Sequence, residues 1–353
     1  MDVQSREALL AAAAAGSLSS ATITGFDASG VDLHGVDASG AVFRDVALNG
    51  ANLEGARLSS ATLDAVSLIG ARLSRADLSS ASLRGADLTD ADLREADLSD
   101  ACLEGATLLT AQLSGALLLE CDLTRAKLEG VDFTAAGKIV LRKLEGADLR
   151  NARFFNADLT SVDLTSAKVR GARLVQTLLS SARCAKVDFR DCDLTRATFL
   201  GASLEGADLS EVEATGCSFR GANLHSATLA GLRGHTLDAR KAMLEGADLH
   251  GADLHQAAFD SAIARKANFR NANLRAARLP KADLRFALLA SADLSFADLS
   301  HANLEGANLL DASFEQANLH RTKLAYTESL GAKMKGARKT DESRAKAEDF
   351  SRE

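Results

Sequence analysis

The chain has 353 residues, 46% of them apolar and 4% aromatic, with 26 Gly, one Pro, no Trp and a formal charge of −7. Its 14 Phe and one Tyr are too few large rings to fill an ordinary globular core of this length, so small aliphatic side chains must pack in some regular way. The 5 Cys are scattered without a C-x-x-C pair, which argues against a disulfide framework or a zinc site and for a reducing compartment.

The first predicted element is a capping helix within residues 1–20. Ser5 supplies its N-cap, ALLAAAAA its body and Gly16 its stop. Placed there, it covers the edge of whatever follows, which would otherwise invite pairing. Asp2 and Glu7 stand where a signal peptide would be basic. No stretch approaches the roughly 20 apolar residues of a membrane span. The expectation is a soluble, cytoplasmic chain.

Residues 21–336 repeat every five residues, as in GANLEGARLSSATLDAVSLIGARLSRADL. The unit is A-(D/N)-L-x-x. Its large apolar centres run from Ile23 to Phe133 through 23 units, lapsing only at Ala28 and Ala38. Shifted by one residue, they run again from Ile139 to Met334 through 40 units, lapsing at Cys184, Ala214, Gly234, Ala239, Ala264 and Ser329. A period of five fits neither a helix nor an alternating strand. Each unit is therefore read as one short extended side and one tight turn, four units closing a square coil of 20 residues. Leu and Ala point inward. Gly, as at Gly55 and Gly70, takes the corner with positive φ. The outward Asp or Asn bonds nearby backbone. At the usual strand spacing, about 63 units make nearly 16 coils and one continuous rod about 75 Å long, each coil stabilised mainly by its neighbours.

Two irregularities interrupt the pattern. One residue is inserted near 134–143, where a bulge or small loop is expected. Arg142 falls there on an inward position, costly to bury unpaired, so AAGKIVLRK should protrude or distort. In the coil at 232–241, Leu232 and Leu237 occupy small positions while Gly234 and Ala239 occupy centres, a swap that conserves volume. The polar segment 337–353 reads as a short helix or a frayed tail.

This pattern resembles the pentapeptide-repeat family over residues 21–336. The resemblance implies an all-β solenoid, a right-handed quadrilateral β-helix. It says little of function, because the family's rods serve many purposes.

A convex surface of stacked rows offers no cleft for catalysis, so neither an enzyme nor a cofactor is expected. AAGKI lacks the glycine and the following Ser/Thr of a phosphate-binding loop. His235 and His255 share one outward row, and Glu205, His225 and Glu245 another. Neither offers three directed ligands, so no metal is expected. Cys121, Cys184, Cys192 and Cys217 fall inward, as small hydrophobes.

Charge is more informative. Residues 1–133 hold 20 acidic and 9 basic side chains, and residues 134–353 hold 28 and 32. Arg150, Arg170 and Arg190 form an outward row that costs on the order of 1 kcal/mol per neighbouring pair unless anions relieve it. Arg265, Lys266, Arg270, Arg275, Arg278, Lys281 and Arg285 form a second basic cluster around Asp283, with Phe286 and Phe296 outward nearby. These two groups are the candidate contacts for a protein partner. Direct nucleic-acid binding is not expected, since the rows lack interleaved aromatics and the chain is acidic.

Two functions follow. The first is a non-enzymatic scaffold on which partner proteins dock. A short helix running into Ala/Leu/Gly-rich repeats is similar to family members that accompany bacterial type VI secretion systems as accessory or effector-loading components. The second is mimicry of duplex DNA, as in members that protect DNA gyrase and topoisomerase IV. Asp77 with Asp97 and Asp27 with Asp87 supply acidic rows, interrupted by Arg57, Arg72 and Lys127.

Overall fold

The unit Ala51–Gly55 shows why five residues suffice. Ala51 closes the preceding corner, its N–H donating to the Leu48 carbonyl at 3.1 Å. Asn52 donates back to the previous turn at Val31 O (2.8 Å), and Leu53 donates forward to Arg72 O (2.7 Å). Glu54 N–H reaches the Asn52 side chain at 3.3 Å, and Gly55 N–H reaches Ser74 O at 2.8 Å. All five donors are satisfied, as a buried or stacked backbone requires. Ala51 and Leu53 are fully buried, each Leu contributing about 1.5–3 kcal/mol.

The corner adopts φ of +63° at Gly55, as Gly permits. The same conformation recurs at Ser60, Arg75, Asp90 and Phe286, with φ of 56°, 58°, 57° and 57°. Each costs on the order of 1 kcal/mol relative to Gly, so bonding between turns, not residue preference, imposes the corner.

The computed structural model describes residues 1–350, in two units, Met1–Leu178 and Leu179–Glu353. In the first, strand β1 (Asp2–Val3) pairs parallel with β2 (Thr22–Thr24), which pairs with β3 (Val42–Arg44). The sequence pattern gave no sign of β1. Helix α1 (Arg6–Ala14) is capped by the Ser5 side chain, which accepts from Ala8 N–H at 3.2 Å. Leu9 is its fully buried residue. Parallel bridges then link each outward residue to the one 20 further on, as in Asp32–Asn52, Asn52–Arg72 and Arg72–Asp92. Four units therefore make one turn.

The inserted residue lies where expected. Gly115 N–H bonds Ala135 O, 20 residues on, whereas Leu117 pairs with Lys138, 21 residues on. Here two longer strands replace the single bridges, β4 (Leu117–Asp122) against β5 (Lys138–Lys143), with register shifts around Cys121. The shift corrects the expected place of Arg142. Ile139, Leu141 and Leu144 take the buried positions, and Arg142 turns partly outward, its side chain 33% exposed. Its Nη1 and Nη2 each lie 3.1 Å from an Asp158 carboxylate oxygen. Beyond the break, Phe133 stacks on Phe154 at 4.5 Å, and β6 (Arg153–Phe155) pairs with β7 (Arg173–Val175).

In the second unit the 20-residue register is kept on all four sides of a turn, as in Thr198–Ser218, Ser203–Asn223, Asp208–Thr228 and Glu213–Arg233. The expected exchange of large and small is present. Leu232 and Leu237 are 0% and 2% exposed, and a Cβ added at Gly234 would stand 2.7 and 2.9 Å from their methyl groups. Each unit is thus an all-β solenoid. After the last turn, helix α2 (Glu342–Phe350) occupies the segment read as a short helix or frayed tail. Residues 351–353 of that tail lie outside the described residues.

Gly234→Leu should overfill its coil and cost about 1–3 kcal/mol. Adding Leu232→Ala and Leu237→Ala should recover most of that loss, measured as the urea midpoint of each variant. Equal instability of the single and triple variants would contradict the volume exchange.

Candidate functional site

The Arg row meets its relief within the chain. Arg150 donates to Asp148 at 2.7 Å and to Glu129 at 2.9 Å. These carboxylates raise its pKa, Asp148 foremost. Arg170 stands exposed one turn on, its carbonyl accepting from Asn151 N–H at 3.2 Å. In the second unit Arg190 pairs with Asp188 at 2.7 Å and Asp208 at 3.3 Å. The pairing with the acid two residues earlier recurs at Asp92–Arg94, Asp238–Arg240 and Asp283–Arg285. Outward neighbours separated by one buried centre lie on the same side of the solenoid, so Asp-x-Arg neutralises itself. A partner is not needed to relieve this row.

The second cluster is divided by the geometry. Phe286 and Phe296 are ten residues apart in a 20-residue turn, hence half a turn apart with the core between them. Phe286 is 56% exposed and lies over Gly306, where an added Cβ would stand 2.6 Å from its ring. Arg265 and Arg285 accompany it, both held by Asp283 at 2.6 and 2.8 Å. Across the turn, Arg275 lies 4.5 Å over the Phe296 ring, a cation–π contact, and Phe296 is 52% exposed. Arg278 pairs with Asp260 at 2.8 Å. The side chains of Arg270, Lys266 and Lys281 have no ion-pair partner among the described residues. The ten-residue separation was readable in the sequence, but grouping by chain proximity concealed it.

Burial alone would raise the Asp283 carboxyl, but hydrogen bonds from Arg285 and Arg265 outweigh it and hold it at about 2. A depressed carboxyl stabilises the fold above its unfolded value, and that contribution fades as pH falls through the folded one. Asp283→Asn should therefore lower the urea midpoint at pH 7, with the difference from the parent chain shrinking between about pH 4 and 2. A difference that persists unchanged at pH 2 would contradict this pairing.

Concave surface occurs beside the register break. Two open cavities of about 370 and 380 Å³ flank Phe155, one lined by Lys138, Ile139 and Asp158, the other by Arg153, Arg173 and Val175. Phe155 is 48% exposed. Asp158, the acid facing the first cavity, is already engaged by Arg142.

The residues best placed to hold a metal lay outside the sequence reading. His301, His320 and Glu348 bring one ligand atom each within 4.8 Å of the others. Their arrangement fits a different task. His320 Nδ1 accepts the Asp341 N–H at 3.1 Å, which places the imidazole proton on Nε2, 3.4 Å from Glu348. Arg321 lies 3.4 Å from the same carboxylate and pairs with Asp349 at 2.8 Å. The cluster docks α2 on the last turns. Reading 337–353 as frayed hid it. His235 and His255 do stack, with centroids 5.2 Å apart, as their shared row implied.

All 5 Cys are free. Cys121, Cys184, Cys192 and Cys217 are buried, and burial pushes the Cys121 thiol up to about 12. No helix among the described residues is long and apolar enough to cross a membrane.

The family model described as pentapeptide repeats matches residues 17–108, 111–136, 143–263 and 267–338 when overlapping matches are joined. The unmatched residues 137–142 are those of the register break. No curated protein matches the chain. Among solved structures, it is similar to a pentapeptide repeat protein from the Arabidopsis thaliana thylakoid lumen. The identity is 37% and the TM-score 0.23, over 28% of this chain and 66% of that one, just under two-thirds of its length. It is also similar to HetL of Nostoc sp. strain PCC 7120, a pentapeptide repeat protein involved in heterocyst differentiation regulation. That identity is 25% and the TM-score 0.17, over 96% of both chains. A third is QnrB1, a plasmid-mediated fluoroquinolone resistance protein, with 16% identity and a TM-score of 0.26 over 64% of this chain and 94% of that one.

Proposed function

We propose that this chain, which belongs to the pentapeptide repeat family, is a non-enzymatic protein–protein interaction scaffold. In this reading it is a right-handed quadrilateral β-helix of about 16 coils, working in a reducing cytoplasm as an accessory or effector-loading component of a type VI secretion system. The observation that carries the scaffold reading is the contrast between neutralised and unneutralised surface. Most arginines are matched by acids two or twenty residues away, whereas Arg270, Lys266 and the exposed ring of Phe286 are not. Unmatched cations beside an exposed aromatic are the composition of a contact surface. The secretion role draws on the short Ser5-capped helix leading into Ala/Leu/Gly-rich repeats.

A second reading, mimicry of duplex DNA toward gyrase or topoisomerase IV, is favoured by one observation. Asp77 and Asp97 face outward in register on successive turns, each bonded only to the serine two residues on. Arg57, which interrupts that row, is itself paired with Asp37 at 2.9 Å.

Affinity capture from native lysate at two salt concentrations separates these readings. The scaffold reading predicts secretion components or an effector in the eluate. Arg270→Glu with Phe286→Ala should deplete them at least about tenfold while leaving the circular-dichroism spectrum unchanged. Capture of gyrase subunits, lost at high salt, would select the mimic. An eluate no different from an untagged control would contradict both.

A further inference from the structure

One outward side of the second unit has the composition of an interface. Met243 and Ile263 meet in register on adjacent turns and are 43% and 38% exposed. Lys241 and Lys281 occupy the corner on one flank. Lys266 occupies the other, with Phe286 one turn beyond it. None of the three lysines has a carboxylate within ion-pair distance among the described residues. Arg265 and Arg285 share the single carboxylate of Asp283, leaving one guanidinium charge over. Glu245, one turn before Arg265, offsets one charge, so the side stays positive around an apolar centre. Desolvated apolar side chains ringed by uncompensated charge call for a partner of opposite sign.

The first unit presents that sign. Asp77 and Asp97 face outward in register, with Asp100 exposed at the corner that follows. None of the three has a cation within ion-pair distance among the described residues. Like charges directly across a ladder repel, and nothing in the unit relieves them.

We propose that these surfaces are each other's partner between two copies of the chain. The acidic side of the first unit in one copy seats on the positive side of the second unit in its partner. The complementarity is reciprocal, so a two-fold pair meets both surfaces twice and closes without further growth. A nucleic acid on the positive side would leave the acidic side unmet, and Met243 and Ile263 offer no ring on which a base could stack. This inference stands apart from the scaffold reading and survives its failure.

The test is sedimentation of the full chain at about 50 mM and about 500 mM salt. A dimer at low salt, with its dissociation constant raised at least about tenfold at high salt, is the expected result. Lys241→Glu, Lys266→Glu and Lys281→Glu together should abolish it. So should Asp77→Lys, Asp97→Lys and Asp100→Lys together. An equimolar mixture of these two triple variants should associate again, because each supplies the surface the other has inverted, and that rescue excludes misfolding as the cause. A monomer at low salt would overturn the proposal. So would a dimer that persists in either triple variant, or a mixture that stays monomeric.

Discussion

The structure rests on one constraint: a five-residue unit must find an acceptor for each of its N–H groups without the length of a strand or a helix. It does so by sending donors from its outward and central residues to opposite neighbours in the stack. The corner closes on itself, and the fourth donor is left to the side chain of the second residue. That last step selects the composition of the repeat. Asp, Asn and Ser at the second position are acceptors for the fourth N–H, as at Asp87 with Thr89 (3.0 Å) and Asn223 with His225 (3.1 Å). With the backbone satisfied this way, the interior needs only Leu and Ala, and no turn is complete without its neighbours.

The same register orders the surface. Residues 20 apart stack and residues two apart sit on one side, so every charge has a small, fixed set of neighbours. Asp-x-Arg tripeptides use this geometry to neutralise themselves. Such exposed pairs contribute little stability; their consequence is to silence most of the arginines. What remains unsilenced in the second unit is confined to a few turns, and in the first unit to the Asp77–Asp97 row.

The fold was legible because a period of five held over hundreds of residues admits few solutions. The position of the inserted residue followed from the shift between Phe133 and Ile139, and the exchange at Gly234 from the volumes of its neighbours. Arg142 was misplaced because periodicity assumes every side is alike, whereas the longer pairing of β4 with β5 moves Leu141 inward instead. β1 escaped notice because two residues carry no period. The docking of α2 escaped because His301, His320 and Glu348 meet only through tertiary contact. Among the surface residues, Arg150 and Arg190 misled because a row was considered without the acids two residues before each arginine.

Amide hydrogen exchange resolved to single residues tests the central claim most directly. If bonding between turns holds the solenoid, protection should oscillate with a period of five in each unit. The fourth amides, such as Glu54 with its single 3.3 Å side-chain acceptor, should exchange fastest and the central amides, such as Leu53, slowest. Uniform protection along the unit, or fast exchange at the central leucines, would contradict the account.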